Sequence, residues 1–295
     1  MKYTDINKPI QCMMTQSTCY KGTYKGTPVG ILWHCTGANN PRLSRYVQPD
    51  DNAPDRDVLI RLLGKNSYGN DWNHSTISAG LNCWIGKLAD GTVTTVQTMP
   101  WEYRPWGCGS GRYGSCNGAG YVGGPIWIQF EMCEDALTNK DYFMKCYKEA
   151  CEITAYLCKK YNIDPHGTVK FNGVNVPTIL CHYDSCLLGL GSNHGDIYNW
   201  CNRYNVNMKT ARDDVAKILN GDDDEVTQEQ FNKMMDVWLA ERAKLQPSDW
   251  SKSDREWAEK NGIVKGDSDG NKRYKSFITR EENVAMLHRE HELKK

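Results

Sequence analysis

Short apolar runs rich in β-branched and aromatic residues mark the first part of the chain: "VGILWH" (29–34), "LNCWIGKL" (81–88), "TVTTVQTM" (92–99), "IWIQFEMC" (126–133) and "PTILCH" (177–182). Their length and their bounding Gly, Pro or Asp predict strands. The "ADG" at 89–91 between two of them signals a hairpin turn, because Asp and Gly tolerate positive φ. "KDYFMKCYKEACEITAYLCKKYNI" (140–163) instead repeats apolar residues at helical spacing and stops before Asp164 and Pro165. "MKTARDDVAKILNG" (208–221) predicts a shorter helix closed by a Gly. Strands mixed with helices predict an α/β domain with a central mixed sheet flanked by helices.

The pattern breaks at "NGDDDEV" (220–226), which predicts a linker at 221–226 between a domain at 1–220 and a small α-helical domain at 227–295. "TQEQFNKMMDVWLAERAKL" (227–245) opens with Thr227 and carries Gln230 three residues on, a capping-box pattern. Phe231, Met235, Trp238 and Leu245 then fall near one face, for packing either within its own domain or against a partner helix.

Composition narrows the function. A chain of 295 residues, 39% hydrophobic, buries at least one full core. Basic and acidic residues balance at 36 each with no long basic cluster, which argues against nucleic acid as a partner. No run approaches the length of a membrane span and the first residues lack an apolar signal region, so the expectation is a protein made in the cytoplasm without a signal peptide, and no membrane partner. The 13 cysteines are odd in number and none lies in a C-x-x-C pair, which favours buried free thiols over a disulfide framework or a four-cysteine zinc site.

Two apolar runs end in histidine, His34 and His182, and the Gly-rich loop after the second carries His194 and Asp196. A catalytic zinc takes three protein ligands and keeps one position open for water, and His34, His182 and Asp196 supply that set if the two runs are neighbours. In "WIQFEMCED", Glu131 interrupts an apolar strand, where it is either paired with a cation or working as a general base; Glu134 and Asp135 beyond it read as solvated. Cys35 adjoins His34, but neighbours along a strand point to opposite faces, so the two cannot act as nucleophile and base. Cys35 and Cys181 read as core residues behind the sheet.

Together "ILWHCTGANN", "WIQFEMCED", "LCHYDS" and "SNHGDIYNW" resemble the zinc-dependent N-acetylmuramoyl-L-alanine amidases, the type 2 amidases related to peptidoglycan recognition proteins, over roughly residues 25–220. The resemblance implies zinc on His34, His182 and Asp196, with Glu131 as base and His194 in the place of a family lysine that donates to the oxyanion. It implies that Thr36, Asn82 and Trp106 contact substrate, and that Gly107 stands where relatives carry a groove-lining histidine. Ile197 replaces the family's proline after the third ligand. Trp101, Tyr103, Trp106 and Tyr113 either stack on sugar faces in the groove or, for the two tryptophans, belong to the core.

"DWSKSDREWAEKNGIVKGDSDGNKRYKSFITREENVAMLHR" (249–289) resembles one S-layer homology repeat. That implies binding of a secondary cell-wall polymer through Thr279, Arg280 and Glu281, Arg280 being the anion contact. A lone repeat buries little, so it either uses helix 227–245 as a surrogate neighbour or self-associates as a homodimer, and an appendage that aids stability or dimerisation without binding wall is the remaining reading. The whole then resembles a phage or prophage endolysin acting on bacterial peptidoglycan after release from the cell. A cytoplasmic amidase that recycles wall fragments and a recognition protein that binds without cutting are the alternatives.

Overall fold

The computed structural model describes residues 1–221 and 228–295, apart from the side chains of 229 and 230. The chain forms two compact units, Met1–Asp223 and Asp224–Lys295. The expected linker beyond Gly221 and the Thr227–Gln230 capping box lie outside the described residues and side chains.

The first unit carries strands β1 (Ile10–Gln11), β2 (Thr27–Cys35), β3 (Cys83–Lys87), β4 (Val93–Gln97), β5 (Pro125–Met132), β6 (Thr168–Phe171), β7 (Val174–Pro177) and β8 (Ile179–Cys181). Its helices are α1 (Thr18–Gly22), α2 (Arg56–Leu63), α3 (Lys140–Tyr161), α4 (His182–Leu187), α5 (Tyr198–Cys201) and α6 (Met208–Asn220). Six strands form one sheet in the order β1-β4-β3-β5-β2-β8, and β6 and β7 form a separate hairpin. Only β3 and β4 pair antiparallel in the main sheet, through the turn foreseen at "ADG". β2, β5, β8 and β3 run parallel, which gives the mixed sheet expected.

Period-2 alternation separates the two faces of this sheet. Ile31, Trp33 and Cys35 of β2, with Ile128, Phe130 and Met132 of β5, point toward α3 and share one core with α5 and α6 residues such as Trp200 and Val215. Leu32, Trp127 and Leu180 point the other way and are covered by the loop that carries Cys108 and Cys116. Helix α3 is capped by the Asn139 side chain and ends on Asn162 in the left-handed conformation, so its 22 residues span the sheet.

"PTILCH" is not one strand. β7 ends at Pro177, having paired with β6, and the chain then switches partner to β2. Thr178 makes the switch: its hydroxyl donates to the Asp164 carbonyl at 2.5 Å, and its own carbonyl accepts from Ile31 N–H at 2.7 Å. His182 opens helix α4 and does not end a strand. All 13 cysteines are free thiols and all but Cys186 are buried.

The second unit holds α7 (Gln228–Lys244), α8 (Lys252–Lys260) and α9 (Arg280–Glu292). Trp238 of α7 lies 5.8 Å from the Phe277 ring, and the Arg242 guanidinium sits 5.2 Å from one ring and 5.1 Å from the other. Among its described apolar residues Ile263 alone is buried, while Phe231, Met235 and Leu245 are exposed. Thr279 caps α9 in a full capping box with Glu282, so its hydroxyl is committed to the helix; Arg280 and Glu281 stand exposed in the first turn.

Candidate active site

The parallel strands β2, β5 and β8 end at one edge of the sheet, where open α/β sheets place their ligands. His34 and Glu131 are register partners on β2 and β5, so their side chains share the face opposite α3. Trp33 pairs with Cys181, which sets His182 beside His34 one residue further on. Asp196 comes from the loop before α5, tied down by Tyr183 N–H donating to its backbone carbonyl at 2.9 Å.

Three donor atoms converge here. His34 Nδ1 lies 3.1 Å from His182 Nδ1 and 3.1 Å from Asp196 Oδ2, and His182 Nδ1 lies 3.5 Å from Asp196 Oδ1. Among the described residues this is the one group of three or more His, Cys, Asp or Glu side chains arranged to hold a metal ion. Donors bound at zinc's distances around a tetrahedron lie roughly 3.3 Å from one another. Burial opposes charge on Asp196, yet its contacts with His182 and His34 hold the carboxyl below the usual carboxylate range, so it stays ionised. Two imidazoles and one carboxylate, nearly closed off from solvent, form a donor set of the kind that zinc accepts.

Glu131 is half-buried in the same cleft and makes no hydrogen bond or ion pair among the described residues. Burial pushes its carboxyl well above the usual range, and the negative charges of Asp196 and Glu134 push the same way. His194 is exposed, stacked on His182 with ring centroids 4.5 Å apart, and its Nδ1 lies 3.9 Å from Asp196 Oδ1. Its other face is therefore open to solvent.

Asn82 is fully buried: its amide nitrogen donates to the carbonyls of Pro100 and Tyr103, both at 3.0 Å, and its oxygen accepts from Gln129 N–H, so it keeps nothing for a substrate. Thr36 is half-buried, and its hydroxyl accepts from Glu134 N–H at 2.9 Å, which ties β2 to the end of β5. Glu134 is not solvated but buried, because it accepts from Gly37 N–H at 2.9 Å and from the Asn199 amide at 3.0 Å. Trp101 belongs to the core, Trp106 and Tyr103 are half-buried, and Tyr113 is exposed. Cys35 is buried against α3, and burial with the nearby Glu134 charge drives its thiol upward, which removes it as a nucleophile.

Gly107 has no room for a side chain. A Cβ there would sit 2.2 Å from Gln129 Oε1, 2.5 Å from Leu81 and 3.2 Å from His34 Nε2. Gly107→Ala is therefore expected to push Gln129 away from His34, at a cost of about 1–3 kcal/mol in stability, together with weakened metal binding. Thermal melting and zinc titration of the variant check this, and wild-type behaviour in both would show that the loop yields without loss.

The sheet thus gathers three side chains able to hold a metal ion, with a carboxylate beside them, at one edge. Residues 24–270 match the N-acetylmuramoyl-L-alanine amidase family (Amidase_2), most of the chain, and the protein belongs to that family. Among solved structures, the chain is similar to Staphylococcus aureus hydrolase AmiA in complex with its ligand, at 18% identity and a TM-score of 0.43, over 72% of this chain and 83% of that one. It is also similar to the PlyG catalytic domain (14% identity, TM-score 0.41, 74% and 97% covered) and to the catalytic domain of XlyA (17%, 0.40, 70% and 97%). Comparison with curated proteins finds no match.

Proposed function

We propose that this amidase hydrolyses the bond between the lactyl group of N-acetylmuramic acid and L-alanine in bacterial peptidoglycan, using zinc held by His34, His182 and Asp196. The observation that carries the zinc is the spacing of the three donor atoms, 3.1 to 3.5 Å, close to that required around one tetrahedral ion. Zinc in that position would lower the pKa of water and polarise the scissile carbonyl. Glu131 takes the proton of the attacking water as its oxygen bonds to the carbonyl carbon, then returns it to the amine nitrogen as the C–N bond breaks. Its affinity for a proton, raised by burial and by the Asp196 and Glu134 charges, suits a group that must both take and give one. His194, stacked on His182, donates to the oxygen that gains charge.

An endolysin role, acting on the wall after release, fits a chain whose 13 thiols are free and almost all buried, as expected of synthesis in a reducing compartment. In the second unit, exposed Arg280 is the anion contact proposed for a secondary wall polymer, and exposed Phe231, Met235 and Leu245 are the contacts proposed for self-association. Digestion of purified peptidoglycan, followed by mass analysis, tests the reaction. Stem peptides released with a free L-alanine amino terminus, beside intact glycan strands, are expected; new reducing sugar ends or cuts within the stem would overturn it.

A further inference from the structure

Beyond the ligands, the cluster depends on which ring nitrogen of each histidine carries hydrogen, and one loop decides that for both. His34 Nε2 meets Gln129 Oε1 at 3.0 Å, inside the sheet where neither reaches water. The orientation of that amide follows from groups with no freedom. Gln129 Nε2 faces the Cys116 carbonyl at 3.3 Å, which can only accept, and Asn117 Oδ1 at 3.1 Å. Asn117 Oδ1 must itself be an oxygen, because it receives the backbone N–H groups of Gly107 and Cys108, each at 3.0 Å. Two backbone donors and a backbone acceptor thus turn the Gln129 oxygen toward His34, whose Nε2 must supply the hydrogen.

His182 is held from the other side of the same loop. Its Nε2 meets Ser192 Oγ at 3.1 Å, and that hydroxyl donates to the Cys108 carbonyl at 3.3 Å, so the serine lone pair accepts from the ring. The Cys108 carbonyl also receives Ser192 N–H at 2.9 Å, which fixes the serine against it. Cys108 and Cys116 are fully buried, and Cys116 N–H donates to Leu190 O at 2.7 Å, so the loop cannot drift.

We propose that the backbone of Cys108, acting through Asn117 and Gln129 on one side and Ser192 on the other, holds both His34 and His182 with hydrogen on Nε2 and so aims both Nδ1 lone pairs at the ion. Gln129 and Ser192 are positioning residues: they touch the ligands, not the substrate. Among the described residues Nδ1 then meets its counterpart ring and Asp196, a set of lone pairs that a proton or a cation must bridge. Outer partners of this kind typically contribute about 10–100-fold to metal affinity.

The inference rests on the zinc-amidase reading for the identity of the ion alone, and its main test needs neither zinc nor substrate. Long-range proton–nitrogen spectra of the metal-free full-length protein should show both rings protonated at Nε2 across the neutral to alkaline range. A neutral ring carrying its hydrogen on Nδ1 would overturn it, whatever the protein hydrolyses. Gln129→Leu and Ser192→Ala, checked for native melting, should each bind zinc about 10–100-fold more weakly in a chelator competition. Wild-type affinity in both folded variants would also overturn it.

Discussion

His182→Ala is expected to lose stoichiometric zinc and, with it, hydrolysis of peptidoglycan. The substitution removes one of three donors whose spacing already suits the ion, and leaves His34 and Asp196 alone on a site open on two sides. The loss should exceed the roughly 10–100-fold that changes in outer partners bring. Stability gives an independent readout. An ion bound only by the folded state, at a hundredfold excess over its Kd, adds about 2.7 kcal/mol. For a unit of this size that raises the melting temperature by roughly 5–10 °C. Wild-type protein should show this rise on adding zinc to the chelator-treated form, and His182→Ala should show none. A variant that stays metal-free yet still clears cell walls at the wild-type rate would remove zinc from the mechanism.

Much of this site was legible because parallel strands buried on both faces read as apolar runs, against which any polar residue stands out. His34, Glu131 and the histidine after "ILC" carried that signal, and strand alternation alone placed Cys35 on the far side of the sheet. Gln129 carried the same signal and was passed over: it stands two residues before Glu131 in "WIQFEM", hence on the same face. Ser192, Asn117 and the backbone of Cys108 had no such mark, since their roles arise when a loop closes over the sheet. Asn82 and Glu134 were misjudged for a related reason. The partners that bury them, the carbonyls of Pro100 and Tyr103 and the amides of Gly37 and Asn199, come from segments whose approach no local pattern encodes. The break of "PTILCH" at Thr178 is likewise a change of strand partner, invisible to period and propensity.

Glu131→Gln should separate metal binding from turnover. The amide keeps the side chain's volume and is neutral, so it removes a carboxylate that burial, Asp196 and Glu134 all disfavour as a charge. The folded protein should therefore be at least as stable as the wild type, and zinc affinity should be unchanged, since Glu131 is not among the three converging donors. What the variant lacks is a group able to take the proton of the attacking water and hand it to the leaving nitrogen. General acid–base catalysis of this kind contributes about 10²–10⁴-fold. A drop of that size in kcat with KM and zinc content held would assign the base. No other carboxylate can substitute from the surroundings shown: Asp196 is held by the two histidines, and Glu134 accepts from Gly37 and Asn199. Turnover equal to wild type would therefore move proton transfer off protein carboxylates altogether.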